Sequence, residues 1–226
     1  MPTMEDEVHP GLLNELRALP ELGGFMASFP LLQLTPQGDG HPVLVLPGLG
    51  AGDRSTQPLR WFLRSRGYSV HGWKLGTNQG PNERTIRGLD RRLDELADGH
   101  GTRVSLVGWS MGGVYARFLA RRAPGSVRLV VTLGSPVTIP EVRAPLDVPT
   151  TSVYSRTDAI VPYRLSLDPP GPQRENVEVR GSHIGLGHNP AVAIVVADRL
   201  ALPENTWRPF RPASIVRNLY PTGRST

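Results

Sequence analysis

The sequence predicts an α/β protein built on a doubly wound, mostly parallel sheet of about six strands with helices on both faces. Three observations carry that expectation. Short apolar, β-branched-rich runs recur from residue 42 onward, as strands buried on both faces require. Amphipathic helical stretches separate several of them, which is the alternation a parallel sheet needs. The length of 226 residues sits near the upper end for one core, so a single domain is expected over 1–226, with an extension at 1–40, a core at 42–202 and a tail at 203–226.

The elements follow in order. Leucines at 12, 13, 16 and 19, then Pro20 and Gly23-Gly24, suggest a short amphipathic helix whose apolar face docks on the body. "PVLVLP" (42–47) is a strand ended by Pro47-Gly48, and "STQPLRWFLRSRG" (55–67) a helix with Ser55 as N-cap and Gly67 as stop. Further strands are expected at 68–73, 103–109, 128–134, 150–155 and 176–181, and helices at 82–99, 111–123 and 190–202. Pro190 suits a first helical turn. The tail carries Arg208, Arg211, Arg217 and Arg224 with no acid after Glu204, and its prolines suggest a segment that wraps the surface or frays.

Composition narrows the function classes. Hydrophobic content of 38% with 20% charged residues excludes disorder throughout, and the absence of cysteine excludes disulfides and thiolate metal sites. The net charge of +5 and pI near 10.2 come almost entirely from arginine, since Lys74 is the only lysine. Arg84, Arg87, Arg91 and Arg92 alternate with Glu83, Asp90, Asp94 and Glu95, which reads as a solvated helix face and not a nucleic-acid surface. The acidic start "MPTMEDEVHP" is not a secretory leader, and no stretch of eighteen apolar residues follows, so a cytoplasmic protein is expected.

The chemistry gathers around Gly108-Trp109-Ser110-Met111-Gly112, a G-x-S-x-G match between a strand and a helix. Small residues two before and two after the serine permit a sharp turn that lifts Oγ above the sheet. A serine needs a base and a group to orient that base. Asp158 and His183 each follow a predicted strand end and fill those roles, with His188 as the other candidate base and Asp147 or Asp168 as other candidate acids. Asp158 also reads as an Asx-turn residue. His9, His41, His71 and His100 lack a partner pattern and are expected to face solvent. The backbone N–H groups of Leu49, freed by Gly48, and Met111 are the candidate oxyanion donors. "PGLGAGD" fits neither phosphate-loop pattern, so a nucleotide is not expected.

"VLVLPGLGAGD", "TNQGP", "GWSMGG" and "GSHIGLGHNP" resemble segments of the α/β-hydrolase family, and within it the small lipases and esterases of the lipase class 2 and inositol-deacylase-like type. The order Ser110, Asp158, His183 is that family's triad order. The resemblance implies no cofactor, an acyl-serine intermediate and oxyanion roles for Leu49 and Met111. It also implies a nearly capless site, because the segment after "VVTLGSP" is short. Many relatives have His-Gly where this chain has Pro47-Gly48, which removes a side chain that braces the loop. Leu49, Trp109, Met111, Ile139, Val161 and Leu186 are candidates to line an acyl or alkyl groove. The expected activity is cleavage of small-molecule or lipid carboxylic esters, with transient lipid-surface contact allowed. Acyl transfer, amide cleavage and a non-catalytic binding role on the same scaffold stay open.

Overall fold

Why the loops that carry Ser110, Asp158 and His183 meet follows from strand order. In the computed structural model, which describes residues 12–221, six strands form one sheet in the order β2-β1-β3-β4-β5-β6. They are β1 (Pro42–Leu46), β2 (Ser69–Gly72), β3 (Val104–Trp109), β4 (Val127–Leu133), β5 (Thr150–Tyr154) and β6 (Arg174–Glu178). Every neighbouring pair is parallel. After β1 the chain moves to one edge as β2, then returns across β1 to lay down β3 on its other side. The loops leaving β1 and β3 therefore diverge and open a crevice at their carboxyl ends. Register aligns that edge: Leu46 is level with Gly108, Leu133 with Trp109, and Val153 with both Leu133 and Val177.

Alternation of side chains assigns the two faces. Val43 and Val45 join the core beneath α1 (Ala18–Ala27), α2 (Phe29–Leu32), α3 (Gln57–Ser65) and α7 (Pro190–Leu200). Leu44 and Leu46 join the opposite core beneath α4 (Glu83–His100) and α5 (Met111–Arg122). Each such side chain, fully buried, contributes roughly 1.5–3 kcal/mol. Caps punctuate the helices where the chemistry demands them. Asn82 accepts from Thr85 N–H at the start of α4, Gly101 closes that helix in the left-handed region, and Asn189 accepts from Ala191 N–H ahead of Pro190. Only α6 (Pro140–Arg143), one turn long, interrupts the path from β4 to β5.

Several expectations need correction. Helix α3 begins at Gln57 after Thr56, while Ser55 bonds the carbonyl of Gly52 instead of capping. Strand β6 spans Arg174–Glu178, earlier than 176–181, because it pairs with β5 from Thr150 onward. Arg92 is buried, its Nε donating to the Gly72 carbonyl, so the α4 arginines are not all on a solvated face. His41 is buried between Asp39 and Ser105, with Nε2 2.8 Å from Ser105 Oγ, and burial holds it below its ordinary titration range. Of the N-terminal leucine stripe, Leu16 and Leu19 do not dock, being 68% and 77% exposed, while Phe25 is buried in the core. In the described part of the tail Val216 is buried and Tyr220 Oη donates to the Ala191 carbonyl. His9, Arg224 and the side chains of Leu12 and Leu13 lie outside the described residues. Among the described residues no helix is long and apolar enough to cross a membrane.

His71 on the edge strand gives a pH test. Burial, with the charges of Arg92, His100, Lys74 and Arg64 adding, pushes it from 6.5 down to about 4. The unfolded chain therefore binds the proton first, so the stability tied to neutral His71 is complete above pH 6.5 and is lost as pH falls toward 4. Urea midpoints measured between pH 7 and pH 4.5 should fall less steeply for His71→Gln than for the native protein; equal slopes would contradict this assignment.

Candidate active site

Ser110 occupies φ 54° and ψ −123°, a strained conformation for a residue with a Cβ. Its surroundings hold it there. Ser110 N–H donates to the Leu133 carbonyl at 2.8 Å, and its own carbonyl accepts from Gly113 N–H at 3.0 Å. A Cβ on Gly108 would overlap the Gly112 carbonyl, and one on Gly112 would overlap the Leu46 carbonyl. The glycines thus let β3, α5 and the end of β1 close to backbone contact. Helix α5 starts at Met111, so its unpaired first N–H groups and positive end face the serine.

Asp158 and His183 meet at the same edge. Asp158 Oδ2 lies 2.7 Å from His183 Nδ1, and both side chains are buried. Because the carboxylate only accepts, Nδ1 carries the proton and Nε2 is left as the acceptor for a hydroxyl. Asp158 Oδ1 accepts from Ile160 N–H at 2.9 Å and Val161 N–H at 2.7 Å, so the Asx-turn and the histidine partner are one residue using two oxygens. Gly134, at φ 52°, makes room for the pair: a Cβ there would come 2.9 Å from Asp158 Oδ2 and 3.3 Å from His183 Nδ1. Among the described residues no hydrogen bond joins Ser110 Oγ to His183.

The other candidates are engaged elsewhere. His188 Nε2 meets the Ala18 carbonyl at 2.9 Å, Asp168 pairs with Arg117 at 2.8 Å inside the core, and Asp147 is exposed.

The loop after β1 lies against the serine, since a Cβ on Gly48 would be 3.2 Å from Ser110 Cβ. Among the described residues no hydrogen bond uses the N–H of Leu49 or Met111. What fixes this loop is Asn78, fully buried within "TNQGP". Its Nδ2 donates to the Pro47 carbonyl at 3.0 Å, and its backbone carbonyl accepts from Gly50 N–H at 2.8 Å. Its Oδ1 accepts from Gly80 N–H and from Tyr115 Oη, whose titration burial raises to about 12. Asn78 thus braces the segment that carries Leu49.

The expected groove residues are placed unevenly. Trp109 is buried, donates its indole N–H to the His183 carbonyl at 3.0 Å and packs by Gly187, so it supports the histidine turn from beneath. Leu186 is fully buried against Gly134. Neither opens onto a groove, because both fill core space under the 182–188 turn. Val161 is buried and Ile139 half-buried. The aliphatic side chains that do emerge beside the polar groups are Leu49, Ile160 and Ile184. Adjacency to the polar residues was the only sequence signal for the last two.

Two acids from the N-terminal segment reach the same edge, and no motif marked them. Glu15, buried, accepts from Ala159, His183 and Ile184 N–H; Glu21 accepts from Ser182 N–H and Oγ.

The strand order and the strand–turn–helix at Ser110 are those of the α/β-hydrolase fold class. Within that class, residues 84–183 match the model of the PGAP1-like alpha/beta domain, a range that holds Ser110, Asp158 and His183. A triacylglycerol lipase of Pseudarthrobacter phenanthrenivorans is 32% identical over 105 residues, 42% of this chain and 33% of the lipase. One from Burkholderia plantarii is 32% identical over 105 residues, 42% of this chain and 29% of its own. The chain spans about a third of the length of the curated relatives it matches. Aspergillus fumigatus lipase B superposes with a TM-score of 0.59 at 15% identity, covering 73% of this chain and 53% of that one, a likeness of fold.

The brace is testable through stability. Asn78→Ala strips partners from the Pro47 carbonyl and Tyr115 hydroxyl in a buried setting, and should destabilise the protein by about 1–3 kcal/mol in chemical denaturation.

Proposed function

We propose that the protein is a serine hydrolase that cleaves carboxylic esters with hydrophobic, short to medium acyl chains, acting as one catalytic domain through an acyl-serine at Ser110. The observation that carries this reading is the buried Asp158–His183 pair at the strand edge that bears a positive-φ serine. Ser110 Oγ attacks the ester carbonyl while His183 Nε2 takes its proton, and Asp158 stabilises the imidazolium. The oxyanion that forms accepts from Leu49 and Met111 N–H, each donor worth about 3 kcal/mol in the transition state. The imidazolium then protonates the departing alkoxide. Water, deprotonated by the same imidazole, attacks the acyl-enzyme and frees acid and Ser110.

The substrate class rests on two supports. Leu49, Ile160 and Ile184 present aliphatic surface beside the reacting groups, and relatives over part of the chain are named triacylglycerol lipases. The absence of a long insertion between β4 and β5 favours an open site over a deep pocket.

A fluorophosphonate probe should label the native protein at Ser110, and p-nitrophenyl esters should be hydrolysed with an optimum among butyrate to octanoate. Ser110→Ala should lose labelling and roughly 10⁴-fold or more of kcat while keeping its fold. Labelling that persists in that variant would refute the assignment. Asn78→Ala should lower kcat by about 10–100-fold with little change in KM, because the Leu49 donor is no longer held for the transition state.

A further inference from the structure

Over residues 15–21 the N-terminal segment meets the body through its acids. Leu16 and Leu19 face solvent, whereas Glu15 is buried without a cationic partner among the described ion pairs. Burying a carboxylate is unfavourable unless donors replace its water. Here they are all backbone N–H groups: Oε1 accepts from Ala159 at 3.2 Å and His183 at 3.0 Å, and Oε2 accepts from Ile184 at 2.9 Å. Ala159 directly follows Asp158, so one carboxylate bridges the loop of the proposed acid and the turn of the proposed base.

Glu21 extends the clamp. Its Oε1 accepts from Ser182 N–H at 3.0 Å and its Oε2 from Ser182 Oγ at 2.6 Å, while that hydroxyl oxygen accepts from Gly185 N–H at 3.0 Å. The N–H groups of Ser182, His183 and Ile184 thus all end on the two glutamates, just ahead of the short turn Gly185–His188. Such N–H groups at a helical start lack intrahelical partners, and carboxylates are their natural acceptors. His188 returns the contact by bonding the Ala18 carbonyl from its Nε2.

We propose that Glu15, assisted by Glu21, is a positioning residue: it sets the separation of Asp158 and His183 and thereby the aim of the imidazole at Ser110. The inference rests on the hydrolase reading above. It makes a segment outside the matched range 84–183 part of the active site. A glutamine at position 15 keeps the shape but sets an NH₂ against N–H donors: with its oxygen in the place of Oε1 it loses Ile184, and with its oxygen in the place of Oε2 it loses Ala159 and His183.

The test compares Glu15→Gln and Glu21→Gln with the native full chain by ester kinetics, fluorophosphonate labelling, thermal midpoint and the downfield proton NMR signal of His183 Nδ1–H. The His183→Asn variant assigns that signal. For Glu15→Gln the expected result is a fall of about tenfold or more in kcat and labelling rate, with KM within about twofold, and a shifted or broadened Nδ1–H signal. Glu21→Gln should show a smaller change in the same direction, and it carries the test if Glu15→Gln does not fold. Folded variants with native kcat and an unmoved Nδ1–H signal would overturn the proposal, leaving the acids as anchors that affect only the thermal midpoint. Failure of the hydrolase reading is separately visible as a native protein that is neither labelled nor active. In that event the Nδ1–H signal still decides whether Glu15 positions the pair.

Discussion

Ser110 is held at φ 54°, a conformation costing a residue with a Cβ on the order of 1–3 kcal/mol, and much of the molecule serves to keep it there. The strain persists because the flanking backbone has nowhere else to go. Gly108, Gly112 and the Leu46 carbonyl are in contact, and the Ser110 N–H is committed to β4. That contact exists only because β1 and β3 are neighbours, which in turn follows from the reversal of strand order around β1. A local backbone angle and the global topology are therefore one constraint.

Around this centre the polar groups do what the apolar core cannot. Hydrophobic packing is non-directional and tolerates substitution of similar volume, so it holds the sheet without aiming anything. Directional bonds do the aiming. Asn78 divides its amide between Pro47, Gly80 and Tyr115 on one side of the crevice. On the other, Glu15 and Glu21 gather the N–H groups of the two loops that carry Asp158 and His183. The Arg117–Asp168 pair, tied also to Thr150 and the Val142 carbonyl, fastens α5 and the α6 segment to β5 below the site. Asn78, Glu15, Arg117 and Asp168 are buried, so each is costly to leave unpaired, and the site gains rigidity from that cost.

Legibility in the sequence tracked how local each feature is. The six strands could be read because burial on both faces writes continuous apolar runs, and the serine because its turn needs glycines within two positions. Asp158 and His183 could be named from their places after strands, although their separation of 25 residues hid which oxygen meets which nitrogen. Trp109 and Leu186 were misread as groove residues because an apolar side chain next to a polar centre looks the same in sequence whether it faces solvent or core. Leu16 and Leu19 misled for a related reason. A periodic stripe says which residues share a face, but not whether anything covers it.

The sequence by itself determined the alternation of strands and helices, the sharp turn at Ser110 and the identity of the three polar residues at the strand ends, because these depend on neighbours within a few positions. Only the tertiary structure decided that His183 Nδ1 meets Asp158 Oδ2 across Gly134, that Asn78 holds the loop of Leu49, and that Glu15 closes over a turn 168 residues away. Such contacts leave no period or spacing behind. They depend on where the chain returns, and the packed sheet alone sets that.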